Sequence, residues 1–316
     1  MHAVAVRRFR QAPEMMELPS PSAAPGELLV RVEFAGVNPF DWKIADGLYE
    51  GKRPHIFPLV LGVDASGTVE AVGSGVDRFQ PGDRVMGQFL HDPVGTGTYT
   101  ERTVVPEGIG VARVPSGLSF PEAAALPTAG MTALAALEAL ALEPESTLVI
   151  VGASGGVGSF ATGLAKVRGI RVVAIARAGS AARLRNLGAE EVVDPTAGDP
   201  IPVLSTRHPH GVDGLLDAMN DASGFGRFAR LVHRGGRALS TTFSADEHVL
   251  EHTGVRGGNL DLHPNAALLE RLAREVIERR LPVPVERQVG LGEAPAALAE
   301  NKAGRGHGKT VVDVDR

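Results

Sequence analysis

The apolar positions of this chain follow two rhythms. Through residues 1–119, short apolar runs (LLVRVEFAGV, ASGTVEAVG, DRVMGQF and YTERTVVP) alternate with Gly, Pro and Asp. Runs of that length between turn residues predict strands, and together a compact, partly open β-barrel. Near Thr147 the rhythm changes. Residues 148–151 form a β-branched apolar run that predicts a buried strand, followed by the glycine-rich turn GASGGVG. Phe160, Ala161, Leu164 and Ala165 then fall on one helical face, Gly169 stops the helix, and residues 170–176 predict a second strand. The result is a βαβ unit.

Between the two regions, SFPEAAALPTAGMTALAAL begins helical structure, with Ser119 as N-cap and Pro121 and Glu122 in the first turn. Residues 123–142 are apolar enough to resemble a membrane span, but Pro127, Gly130, Thr132 and Glu138 interrupt them, which predicts a buried helix. Past the βαβ unit, Ser180 caps a short helix ending at Gly188. Residues 191–194, 213–219 and 237–241 predict three more strands, and VRGGNL from Val255 a last one. That gives the six strands of a doubly wound parallel sheet. Pro195, Pro200, Pro202 and Pro209 predict an irregular crossover in place of a helix. LLERLAREVIERR reads as an amphipathic helix, and the tail returns to short strands expected to pack on the first domain. The fold class is α/β, with expected boundaries of 1–119 for the first part of the β domain, 120–260 for the nucleotide-binding domain and 261–316 for the return segment.

The turn carries the binding chemistry. Ala153, Gly155 and Gly158 fill the small-residue positions of a dinucleotide fingerprint. They allow a tight turn, close backbone approach to a pyrophosphate, and helix-to-strand packing. Ser154, Gly156 and Val157 complete the loop, whose amides and helix dipole suit phosphates. At the end of the second strand, where an NAD site places a carboxylate to accept ribose hydroxyls, this chain has Ala176 and then Arg177. A guanidinium with no acid beside it suits a 2′-phosphate, so the cofactor reads as NADPH. Ser180, Arg183 and Thr241 are further cofactor-binding candidates. The bland reading of Arg177 is a solvated loop residue.

Composition narrows the function. The 316 residues allow two cores, and a net charge of −5 gives no cationic excess for nucleic acid. The absence of cysteine excludes disulfides, a thiolate nucleophile and cysteine-held zinc or iron–sulfur centres, and fits a cytoplasmic protein. No apolar leader opens the chain, so neither a signal peptide nor a membrane association is expected.

AGVNPFDWKIADG (35–47), LVLGVDASGTVEAVGSGVDRFQPGDRVMG (59–87), GTYTERTVVP, LPTAGMTALAAL and VGASGGVG follow one another in the order of a known family. The chain resembles the zinc-free medium-chain dehydrogenase/reductases of the zeta-crystallin-like quinone oxidoreductase branch, which also holds enone and enoyl reductases. The resemblance covers nearly the whole chain. It implies a GroES-like catalytic domain, a Rossmann domain and a nicotinamide bound in the cleft between them. Zinc-dependent relatives carry a cysteine at the place of Asn38 and a histidine–acid pair at Val63 and Asp64. A metal-free hydride-transfer enzyme is therefore expected, with hydrogen-bond donors stabilising the charge that builds on a substrate oxygen.

By that resemblance, Asn38 contacts substrate or the nicotinamide amide, Lys43 is a donor or proton source, and Tyr49 stacks or donates. Lysine at position 43, where quinone reductases often carry tyrosine, resembles the enone-reducing members. Thr128 matches the threonine beside the nicotinamide, and Arg305 or Lys309 the group that reaches the cofactor phosphate. Each has a plainer reading: a turn at Asn38–Pro39, a solvated loop position at Lys43, an ordinary helix residue at Thr128. Trp42 reads as packing and Asp41 as a structural acceptor.

Two motifs point elsewhere. AGRGHGKT (303–310) nearly fits a P-loop, but a helical pattern precedes it and a strand follows, the reverse of the required order. HVLEH (248–252) has the form of a zinc-peptidase motif, but Gly254, Gly257 and Gly258 predict a solvated turn there. The expected protein is an NADPH-dependent quinone reductase, with an enone or enoyl reductase as the alternative. A non-catalytic NADPH-binding sensor is the reading of another class. The substrate is a small quinone or α,β-unsaturated carbonyl. Relatives imply a homodimer, paired through residues 255–260.

Overall fold

Strand Glu27–Gly36 alternates half-buried and buried positions through its first six residues, as a strand with one core face does, and it organises the first part of the molecule. The computed structural model describes residues 1–263 and 265–316. The chain divides into two compact units, residues 1–129 with 265–316 and residues 130–263.

In the first unit, Glu27–Gly36 pairs antiparallel with Asp64–Val72, with Arg102–Pro106 and with Lys309–Asp313. Lys309–Asp313 pairs in parallel with Val285–Gly290, so the tail of the chain completes a seven-stranded sheet begun at its start. A second sheet of four strands runs Glu14–Glu17, His2–Val6, His55–Val60, Val94–Thr96. Val4, Val30, Leu61, Tyr99 and Val312 share the core of this unit. Two short helices sit on these strands. Pro39–Ala45 starts with proline in its first turn, where a missing N–H costs nothing, and Asp41 accepts the Asn38 N–H at 2.7 Å. Phe120–Ala125 starts the same way, with Glu122 accepting the Ser119 N–H at 2.9 Å.

The second unit is a six-stranded parallel sheet in the order Ala189–Val193, Arg171–Ile175, Thr147–Val151, Val212–Asp217, Val232–Ser240, Arg256–Asn259. Every residue of Thr147–Val151 is buried, as both faces of a central parallel strand must be. Strand Arg256–Asn259 is an edge of this sheet.

Two local expectations are corrected. The crossover rich in proline contains the helix Pro200–Arg207. Its prolines lie in the first turn, where they are tolerated, and the Asp199 carboxylate caps it by accepting the Ile201 N–H at 3.1 Å. The HVLEH segment is likewise a helix, Glu247–Thr253. The Asp246 carboxylate caps it at 2.9 Å from the His248 nitrogen, and Gly254 closes it in the left-handed conformation at φ 69°. The apolar segment Phe120–Leu140 has the length and composition of a membrane span, and most of it is buried inside the protein.

Candidate active site

The turn after Thr147–Val151 is shaped by backbone contact. Gly152 sits at φ 77°, a conformation that glycine adopts without strain. A Cβ on Gly158 would lie 2.5 Å from the Ala153 Cα and from the Gly152 carbonyl oxygen, so only glycine lets helix Gly156–Val167 pack this tightly. At Gly155 the nearest atom to such a Cβ is 3.4 Å away, which leaves the mouth of the turn open. The first-turn amides of that helix, at Gly156 and Val157, have no acceptor within the helix. With the positive end of the helix dipole they make an anion cradle, and the residues present fit a dinucleotide diphosphate.

Arg183 braces this turn. Its guanidinium donates to the Ser154 carbonyl oxygen at 2.8 Å and to the Ser159 hydroxyl at 3.0 Å, adding a fixed positive charge beside the cradle. Arg177 is exposed at the end of strand Arg171–Ile175, directly before the turn Ala178–Ser180. Ser180 is buried and precedes helix Ala181–Leu187 without a side-chain cap bond. Thr241 follows Val232–Ser240 and donates its N–H to the Asp217 carbonyl at 2.9 Å.

In the first unit a buried polar cluster surrounds Asn38. The Asn38 amide donates to Asp64 at 2.9 Å and to the Gly36 carbonyl at 3.3 Å, and its oxygen accepts from the Lys309 ammonium at 2.6 Å. Lys309 also donates to the Val37 carbonyl at 3.0 Å and lies 3.7 Å from the Asp64 carboxylate. Thr128 donates its backbone N–H and its hydroxyl to Asp64, the latter at 2.6 Å, and the Gln88 amide donates to that hydroxyl at 2.7 Å. Asp41, which accepts the Asn38 N–H, also accepts from the Tyr99 hydroxyl at 2.7 Å.

Asp64, Lys309 and Asp41 are 0%, 2% and 0% exposed, so desolvation dominates their titration. Burial pushes the Asp64 carboxyl up and the Lys309 ammonium down, and the two charges oppose both shifts. Burial also drives Asp41 up to about 7, against the hydrogen bonds from Tyr99 and Asn38 that favour its ionised form. Its Oδ1 is buried with no hydrogen-bond partner among the described residues, consistent with a carboxyl held near neutrality.

These contacts change two assignments. The reading of Lys309 as a group that reaches a cofactor phosphate is corrected: its ammonium is buried among Val37, Asn38 and Asp64. Asn38 differs from the direct contact expected of it, because both ends of its amide are committed to Asp64, Gly36 and Lys309. Thr128 is anchored in the same cluster. Lys43 is exposed, with its ammonium 5.7 Å from the centre of the Trp42 ring. Tyr49 is half-buried, edge-on to Phe40 at 5.9 Å and covered by the Arg53 guanidinium at 5.0 Å. Arg305 is exposed in the loop between helix Ala294–Lys302 and strand Lys309–Asp313, a helix–loop–strand order that is not a P-loop.

Comparison with known proteins fits this arrangement. Residues 24–116 match the alcohol dehydrogenase GroES-like domain and residues 156–260 match the zinc-binding dehydrogenase domain. A chloroplast envelope quinone oxidoreductase homolog from Arabidopsis thaliana is 30% identical over 314 residues, covering 95% of this chain and 93% of that protein. The chain belongs to the zinc-free quinone oxidoreductase family of medium-chain dehydrogenase/reductases. The chain is an oxidoreductase of this NAD(P)H-dependent family. Its fold is similar to that of the quinone oxidoreductase from Coxiella burnetii, with a TM-score of 0.88 and 28% identity over 99% of each chain. It is also 29% identical to a 2-methylene-furan-3-one reductase from Solanum lycopersicum, over 95% of this chain and 76% of that protein. Although one matching domain is named for zinc, no group of three or more His, Cys, Asp or Glu among the described residues could hold a metal. The buried Asp64 carboxylate lies 3.7 Å from the Lys309 ammonium.

Sequence reading missed Asp64, Tyr99 and Gln88 as members of the buried cluster. A signal existed for Asp64 alone, an acid within the apolar run LVLGVDASG. An acid in such a run demands a buried partner.

Proposed function

We propose that this oxidoreductase takes hydride from NADPH and, with one proton from solvent, reduces a quinone to the hydroquinone. The observation that carries the cofactor half is Arg177, an exposed guanidinium at the end of strand Arg171–Ile175 with no acid following it on that strand. The quinone half rests on the names of the relatives, several of which are quinone oxidoreductases.

When bound, a reduced nicotinamide supplies the hydride. The protein's own groups do the remainder. The first-turn amides at Gly156 and Val157 hold the diphosphate, Arg183 fixes the turn that presents them, and Arg177 takes the 2′-phosphate. As hydride arrives, negative charge builds on a substrate oxygen. A cation or hydroxyl aimed at that oxygen lowers the barrier. Lys43 supplies such a cation and Tyr49 such a hydroxyl. Both lie on or just after helix Pro39–Ala45, whose start is fixed by the Asn38–Asp41–Tyr99 bonds. Asn38, Asp64 and Lys309 therefore act as positioning residues for Lys43 and Tyr49.

The enone reading has one observation in its favour, the ammonium of Lys43, which suits an enolate oxygen. In that case hydride goes to the β-carbon and a proton to the α-carbon. A homodimer paired through the edge strand Arg256–Asn259 accompanies either reading and is tested by sedimentation. The chemical test is a panel of quinones and enones run with NADPH and with NADH. Faster NADPH oxidation with quinones supports the proposal, faster turnover of enones moves the substrate to an activated C=C bond, and a lack of turnover with both overturns it. Arg177→Ala should raise the Kd for NADPH by about tenfold or more and leave NADH unchanged, since it removes one charge-assisted phosphate contact.

A further inference from the structure

Strand Arg171–Ile175 carries no carboxylate at its end, but the adjacent strand supplies one. Ala189–Val193 runs parallel to it with Val193 opposite Ile175, so Asp194 emerges beside Ala176 and Arg177. The Asp194 carboxylate is anchored there. Oδ2 accepts the Ala178 N–H at 2.8 Å, and Oδ1 accepts the N–H and hydroxyl of Thr196 at 2.8 Å and 2.7 Å. The Thr196 bonds, the Ala178 bond and the nearby charge of Arg177 hold this carboxyl below its ordinary range, so it stands ionised. It is half-buried and reachable from solvent. An anion therefore already occupies the amide N–H that follows Arg177, a donor that a 2′-phosphate bound by Arg177 would otherwise take.

We propose that Asp194 sets this enzyme's choice between NADPH and NADH: its carboxylate accepts the ribose 2′-hydroxyl of NADH and repels the 2′-phosphate that Arg177 attracts, so that both cofactors are used. The inference rests on the reading of the glycine turn and Arg177 as the adenosine-ribose end of the cofactor site. The chemistry is that of other dinucleotide sites, in which a carboxylate after the second strand accepts the ribose hydroxyls. Here the third strand delivers it. Two anions side by side repel, whereas a carboxylate and a ribose hydroxyl make a charge-assisted hydrogen bond. Removing the Asp194 charge should strengthen NADPH binding and weaken NADH binding together, a paired change that loss of a merely structural residue would not produce.

The experiment is calorimetric titration of the full-length wild type, Asp194→Asn, Asp194→Ser and Arg177→Ala with NADPH and with NADH, with thermal unfolding confirming that each variant is folded. The ratio of the two Kd values should move toward NADPH by about tenfold in both Asp194 variants, equivalent to about 1.4 kcal/mol. The NADPH gain should shrink as salt screens the pair. An unchanged ratio in the folded Asp194 variants, or a shift toward NADH, overturns the proposal. If Arg177→Ala loses NADPH selectively while the Asp194 variants behave as wild type, the Arg177 reading stands and only the role of Asp194 falls. If the wild type binds neither cofactor, both fall.

Discussion

Replacing Lys309 by methionine keeps an unbranched apolar stem and removes only the ammonium. The structure makes the cost large. Asp64 is fully buried and would keep its donors from Thr128 and Asn38 but lose a cation 3.7 Å away. Two unit charges at about that separation attract by about 4 kcal/mol at an effective dielectric near 20. Removing one partner of a buried pair typically destabilises by about 3–5 kcal/mol, because the other charge is stranded. Asn38 and Val37 also lose a donor to their oxygens. The assay is urea unfolding followed by the fluorescence of Trp42, the single tryptophan, which lies in the same unit as the pair. A signal confined to that unit avoids assuming that both units unfold as one. The expected loss is about 3–5 kcal/mol at neutral pH, shrinking in acid as Asp64 takes up a proton. Adding Asp64→Asn should recover much of it, since neutralising both partners removes the stranded charge. A loss below about 1 kcal/mol, or a double variant no better than the single one, would refute the buried-pair account. Normal stability with weakened NADPH binding would return Lys309 to the role of a phosphate ligand.

Burial raises Asp41 from its ordinary 3.8 to about 7, so its stabilising contribution is complete below the unfolded value and is lost as pH rises through about 7. A difference of that size is worth on the order of 4 kcal/mol, and Asp41→Asn should flatten the stability curve between about pH 4 and 7; a slope as steep as wild type would assign the effect to another group. Gly158→Ala forces a Cβ to 2.5 Å from the Ala153 Cα, so calorimetry should show loss of dinucleotide binding along with destabilisation of about 1–3 kcal/mol. Unaltered binding would mean that the turn is not the cofactor site. Lys43→Ala should lower kcat by about a hundredfold to a thousandfold with the Kd for NADPH unchanged, in line with loss of one donor to a developing oxyanion. Turnover at the wild-type rate in both Lys43→Ala and Tyr49→Phe would remove these residues from the mechanism.

The βαβ unit was legible because its signals are local: an apolar run, a glycine turn and a helical stripe follow in unbroken order. Helix Pro200–Arg207 was not, because prolines read as breakers are harmless in a first turn whose start only the Asp199 cap reveals. The cluster around Asn38 was hidden for another reason. Its partners lie 26 residues away at Asp64 and 271 away at Lys309, and the closure of the seven-stranded sheet by the tail brings them together. Lys309 read alone in GHGKT looks like a phosphate ligand, and only its burial against Asp64 gives it a different role. Asp194 escaped similarly: the rule for an acid after the second strand examines one strand, while a parallel sheet can deliver the acid from the next.

The most direct test of the central claim, that the turn at residues 152–158 holds a reduced nicotinamide dinucleotide whose hydride reduces a quinone, is a stopped-flow experiment. Purified enzyme saturated with NADPH is mixed with a small quinone, and nicotinamide absorbance is followed beside hydroquinone formation. One hydroquinone should appear for each NADPH oxidised, and Gly158→Ala should abolish the reaction. A protein that binds no reduced nicotinamide, or binds it and leaves both quinone and enone untouched, would contradict the account.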